Sequence, residues 1–147
     1  MSDIILMSFK PVFAYQILEG RKAFELRKKI FTIKQGDRII MYASNPVKAI
    51  VGEFIAGEVI VGEFSTIWEY VKAIPSSGVD ERDIPYIRGH KHVLAIKVVK
   101  PKKYKRAITL KDMRSLIPNW RPPLSYMRVK GRLRDILMKL IDLTECR

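Results

Sequence analysis

The chain has 147 residues, 48% of them hydrophobic and 10% aromatic, which suits one domain around one core and excludes a globally disordered polymer. It carries 28 Lys and Arg against 15 Asp and Glu, a net charge of +13, the balance of a protein that meets polyanions. No uncharged stretch exceeds nine residues (39–47), so no transmembrane helix is expected; with no leader-like segment after Met1, the expected location is the cytoplasm.

In chain order, residues 4–9 are an apolar run of strand length, and Pro11 opens a helix whose Phe13/Ile17 and Ala14/Leu18 pairs share a face before Gly20 ends it. Residues 22–27 alternate, which predicts a half-buried strand with Glu25 and Arg27 on one face. Gln35-Gly36-Asp37 turns into a strand over 38–43, closed by Ser44-Asn45-Pro46. In 49–64, Glu53, Glu58 and Glu63 recur every five residues beside glycines. An odd spacing cannot keep all three on one face, so a long strand bent by a bulge is expected.

Thr66 to Glu69 has the form of a capping box and predicts a helix start, which residues 75–78 break. A helical turn is expected over 80–88, a strand over 92–99, a basic connector over 100–106 and a helix from Thr109. A last strand then covers 124–129, and a helix over 130–143 carries the stripe Leu133, Ile136, Leu137, Leu140 and Ile141. The expected architecture is α+β: one domain over 1–147, built as a small bent β-barrel with peripheral helices and a C-terminal helix, with a basic extension from about residue 100. Residues 1–96 hold 13 basic and 11 acidic side chains, whereas 97–147 hold 15 and 4, so the charge is concentrated late in the chain. Scarce Asn and Gln beside abundant Lys, Arg and Ile lean toward a thermophilic source.

Several chemistries lack their residues. There is no phosphate-binding glycine loop and no Gly-x-Ser-x-Gly elbow. The lone Cys146 allows no internal disulfide, and His90 and His92 have no companions for a zinc site, so neither metal nor cofactor is expected. The least bland segment is 20–27, where Lys22, Glu25 and Arg27 gather beside a turn. They form either a charged cleft or an exposed strand-face ion pair.

Ser8-Phe9-Lys10-Pro11, the helix ending in Glu19-Gly20, then Lys22, Glu25, Arg27 and Gly36-Asp37-Arg38 together resemble the ASCH family of the PUA-like superfamily, chiefly over residues 4–61. The resemblance implies a PUA-like bent barrel, a polar cleft receiving Lys22, Glu25 and Arg27, and RNA binding in RNA metabolism or translation-related regulation. Some ASCH proteins resemble nucleoside hydrolases or act as ribonucleases. In the hydrolase type a Lys, a Thr and a distant acid form the site; Lys22 matches the Lys, Glu25 stands in the Thr position, and Asp80 or Glu81 is the candidate acid.

Three readings follow. The first is an RNA-binding domain whose contacts are Arg21, Arg27, Lys28, Lys29, Lys102, Lys103, Lys105 and Arg106, with Tyr126 and Arg128 as a stacking and phosphate pair. In the second, Lys22 and Glu25 are catalytic in a ribonuclease or amidohydrolase. The third is a DNA-binding regulator. Tyr126 also fits a barrel wall, and Trp120 either a stacking platform or a core edge. RNA is the expected partner ahead of DNA, and no membrane is expected.

Overall fold

Alternation along the strands decides which face of the sheet each side chain covers. In β1 (Ile4–Phe9), Ile5, Met7 and Phe9 enter one apolar cluster while Ile4 and Leu6 enter another, so both faces are covered and the run is apolar throughout. β3 (Arg38–Ala43) repeats the pattern and pairs with β1 in parallel, the only parallel pairing of the sheet among the described residues. The structure, a computed structural model, describes residues 2–145. Cys146 lies outside the described residues.

Six strands form one curled sheet in the order β2-β5-β4-β3-β1-β6, with β2 at Phe24–Lys28, β4 at Ala49–Gly62, β5 at Val93–Thr109 and β6 at Tyr126–Arg128. The curl comes from β4 and β5, 14 and 17 residues long, whose pairing shifts register at three places. Glu53 therefore turns into a packed network while Glu58 is exposed, as the five-residue spacing required. The expected bent barrel is a half-barrel in its backbone pairing. Side chains join its two edges: Arg27 on β2 donates to the carbonyls of Ser8 and Ser125, and Tyr126 on β6 accepts the Ile30 N–H at 2.6 Å.

Helix α1 (Pro11–Leu18) covers one face of the sheet; α3 (Leu110–Leu116) and α4 (Gly131–Glu145) cover the other, and α2 (Phe64–Lys72) closes the end near β2. Leu137 and Ile141 of the expected stripe are buried, with Leu133 and Leu140 packed beside them. Among the described residues, no helix is long and apolar enough to cross a membrane.

Two expectations are corrected. α2 starts at Phe64, without a side-chain cap. The His90 carbonyl accepts the Phe64 N–H at 3.0 Å, and Phe64 stacks on Trp68, so tertiary packing replaces the capping box. Residues 100–106 are not a connector but the middle of β5. Lys102 and Lys103 pair with Glu53 and Gly52 of β4, and Tyr104 is buried between the sheet and α4. Gly52 permits this, since a Cβ there would lie 2.5 Å from the Lys102 carbonyl oxygen.

Candidate functional site

Burial of a lysine organises the site. After α1, Gly20 takes a left-handed φ of +77°, and the N–H groups of Arg21 and Lys22 both donate back to the Gln16 carbonyl. Residues 74–79 then fold across this turn. Ala23 N–H donates to the Ser77 carbonyl at 2.8 Å, and Gly78 (φ +76°) lies so close that a Cβ would stand 2.2 Å from the Arg21 carbonyl oxygen. Only glycine meets both requirements. Lys22 is thereby removed from water altogether.

An ammonium without water needs a carboxylate. Lys22 Nζ donates to Asp83 Oδ1 and stands 5.0 Å from the centre of the Phe13 ring. Asp83 is held by a short 3-10 helix, Glu81–Tyr86, where its Oδ2 accepts the Asp80 N–H at 2.9 Å in a capping box. Asp80 is turned outward, and its hydrogen bonds from Arg82 hold its carboxyl below the usual aspartate range. The acid that meets Lys22 is thus Asp83, and neither Asp80 nor Glu81. Composition could not separate three acids within four residues; the alternation of a capping box does.

Beside Asp83 opens a cleft of about 410 Å³, lined by Ser8, Phe9, Lys10 and Phe13 from β1 and α1, Glu25 to Lys28 from β2, and Leu124 and Ser125 from the other edge. Ser44 and Tyr86 complete it. Glu25 Oε2 accepts from Arg27 Nε at 2.6 Å, as their shared strand face predicted, while among the described residues Glu25 Oε1 accepts no hydrogen bond. Arg27 also reaches Ser8 O at 2.5 Å and Ser125 O at 3.2 Å, and its guanidinium lies 4.6 Å from the Phe9 ring centre. Most of its donors are therefore committed to holding the cleft walls together.

The remaining sequence candidates are dispersed. Lys28 lines the cleft, whereas Lys22 sits behind Asp83 and does not. Arg21 pairs with Glu19 on the surface, and Lys29 N–H donates to the His92 carbonyl. Lys102 pairs with Glu145 of α4 at 3.0 Å, and Lys103 stands over the Tyr15 ring of α1, so these neighbours point to opposite sides of the sheet. Lys105 and Arg106 are exposed nearby, and none of the four lines the cleft. Tyr126 is a wall residue, 4% exposed, with its ring against Phe31 and its hydroxyl bonded to backbone, so it offers no face to a base. Arg128 donates to Asp3 and lies over Phe31. Trp120 packs against Tyr42 at a core edge. Sequence reasoning missed Lys10, Tyr86, Leu124 and Ser125; for Leu124, fully exposed after two prolines, the signal was an apolar residue that a turn presents to solvent.

Among the described residues, no cluster of three His, Cys, Asp or Glu is placed to hold a metal. Chemically, the cleft offers cations for phosphate, a carboxylate oxygen open to a donor, hydroxyls and the half-exposed ring of Tyr86.

No protein-family model matches the chain. A curated relative from Zymomonas mobilis, the ASCH domain-containing ribonuclease, is 28% identical over 140 residues, covering 95% of this chain and 90% of the relative. Among solved structures, the crystal structure of ASCH from Zymomonas mobilis superposes with a TM-score of 0.81 at 24% identity, covering 94% of this chain and 95% of that one. The NMR structure of Rpa0253 from Rhodopseudomonas palustris does so with a TM-score of 0.57 at 20% identity over 96% and 94%.

Proposed function

Because the chain belongs to the ASCH domain family, we propose that it binds unpaired RNA, one nucleotide of which enters the cleft between β1, β2 and Ser125, in the service of RNA processing or RNA-linked regulation. The observation that carries this reading is the cleft's lining, in which the exposed Lys10 and Lys28 stand with the half-exposed ring of Tyr86. Cations track phosphate, and aromatic faces stack on bases exposed only in single strands. A volume of about 410 Å³ suits one small ligand rather than a duplex. The Glu25 carboxylate, with one oxygen spared by Arg27, accepts from a base amino group.

Fluorescence anisotropy of a labelled 12-nucleotide oligouridylate tests the reading. Affinity falls with salt, and replacing exposed Lys10 and Lys28 with Gln weakens it about tenfold while flattening the salt slope by roughly 0.7 per lost phosphate contact. A salt-independent affinity, or variants that bind like the wild type, rejects it. Tighter binding of duplex DNA in competition favours the DNA-regulator reading instead.

A second reading, RNA cleavage, is favoured by the ribonuclease name of the curated relative and by two carboxylates in one cleft. In it, Glu25 takes the proton of the attacking hydroxyl and passes it to the departing oxygen as the phosphate ester bond breaks, Lys10 and Lys28 face the phosphate, and buried Lys22 positions Asp83 without touching substrate. Glu25→Gln then abolishes cleavage of labelled RNA on a denaturing gel while retaining binding. Cleavage that survives this substitution removes Glu25 as the base.

A further inference from the structure

Beside the cleft lies a second depression. Ser44 lines the cleft, and two residues along the same turn Pro46 lines a separate groove of about 440 Å³, whose other wall is Thr109 and the first turns of α3. The Lys48 carbonyl accepts the Leu110 N–H at 2.9 Å and joins the two walls. A second segment makes the same crossing. Arg114 Nε donates to the Trp120 carbonyl at 3.0 Å, and from there the exposed Arg121 leads through Pro122 and Pro123 to Leu124 and Ser125 on the cleft.

The charge lining this groove is all of one sign. Lys48, Lys111 and Arg114 line it, and no carboxylate does. None of the three forms an ion pair among the described residues, so their charge is not offset within the groove. The nearest acid in sequence, Asp112, is turned to its own helix, where Oδ2 accepts the Thr109 N–H at 3.0 Å. Lys48 also has a φ of 51°, a left-handed conformation that costs an L-residue and suits glycine.

We propose that this groove is a second RNA subsite, which takes the phosphodiester backbone of nucleotides flanking the one in the cleft. The inference rests on the RNA-binding reading above and adds the path of the strand: out of the cleft, over the turn at Ser44–Pro46, and across Lys48, Lys111 and Arg114. With two ammonium groups, a guanidinium and no aromatic platform, the groove holds phosphates and reads no bases. A short RNA that fills only the cleft is therefore indifferent to it, and a longer one is not.

The test compares the wild type with Lys48→Gly/Lys111→Gln and with the same pair plus Arg114→Gln, using labelled oligouridylates of 3 and 12 nucleotides across a salt series. Lys48→Gly removes the charge while relaxing the backbone, and the double variant spares the Arg114–Trp120 link, so its thermal midpoint stays at the wild-type value or above. For the 12-mer, the slope of log affinity against log salt falls by about 1.4 in the double and about 2 in the triple variant, at roughly 0.7 per single-strand phosphate contact. Affinity for the 3-mer does not change. A normally melting double variant with the wild-type slope for the 12-mer overturns the subsite and leaves the cleft reading standing. Loss of 3-mer binding in that variant also overturns it. A wild type that binds neither oligonucleotide overturns the cleft reading and the subsite together, and equal groove dependence with tighter binding of a 12-base-pair DNA overturns RNA as the occupant.

Discussion

Two shielded ion pairs occupy opposite faces of the sheet, and they are built differently. Arg38 meets Glu53 with both ends of its fork, at 2.9 and 2.7 Å, and Tyr104 adds its hydroxyl to the same carboxylate at 2.7 Å. Burial alone pushes the Glu53 carboxyl up, yet the hydrogen bonds from Arg38 and Tyr104 outweigh it and hold the group below the usual glutamate range. Burial raises the Tyr104 hydroxyl far above its ordinary value, so it remains a donor. Lys22 and Asp83, by contrast, touch at one point, and Asp83 forms part of the cleft wall. A planar fork gripping one carboxylate at two points reads as structure, whereas a lone ammonium behind a cleft carboxylate fixes that carboxylate's position.

The sharpest way to break this contrast is Lys22→Ala. It leaves Asp83 without its cation and opens a hole beside Phe13, so a loss of about 4 kcal/mol in urea unfolding is expected. Alanine here is consequently a folding variant, and Lys22→Met with Asp83→Leu, which removes both charges at similar volume, recovers most of the loss. A loss below about 1 kcal/mol for Lys22→Ala would mean that water reaches the pair.

Glu53→Ala is expected to cost about 3 kcal/mol, the lower end for a broken buried pair, because 32% of the Arg38 side chain remains in contact with water. This pair also has a pH signature. A carboxyl lowered in the folded state contributes stability above its unfolded pKa of about 4.3 and loses that contribution as pH falls through the folded value. The stability gap between wild type and Glu53→Gln is therefore widest near neutrality and closes in acid; a gap constant from pH 7 to pH 2 would contradict the assignment.

The smallest effect belongs to Lys102→Ala. Its pair with Glu145 is exposed on the lysine side, so unfolding shifts by less than about 0.5 kcal/mol. The measurement separates a surface charge from the two shielded ones, and a loss above about 1 kcal/mol would erase the distinction.

Much of the scaffold was legible because its signals are local. Pro11, the alternation that paired Glu25 with Arg27, the odd spacing of Glu53, Glu58 and Glu63, and the Thr109–Asp112 capping box each carry their meaning within a few residues. The missed features depend on distance. Nothing near Lys22 announces Asp83, 61 residues away, or the Gly78 crossing that buries it. Residues 100–106 look like a solvated charge run until β4 supplies the partner strand and Gly52 the clearance. Arg27 resembled a phosphate ligand by type, yet the approach of Ser8 and Ser125 commits most of its donors.

The place of β1 has a consequence for biosynthesis. It lies between β3 and β6, with Ile5 opposite both Ile39 and Arg128. During translation one side of this strand is covered once the chain has grown past residue 43, but the other must wait for residues 126–128, several seconds at ordinary elongation rates. A hydrogen-bonding edge of this apolar strand, buried on both faces, is thus left open on the ribosome until the last strand arrives, which makes that interval the nascent chain's point of greatest exposure to wrong pairing.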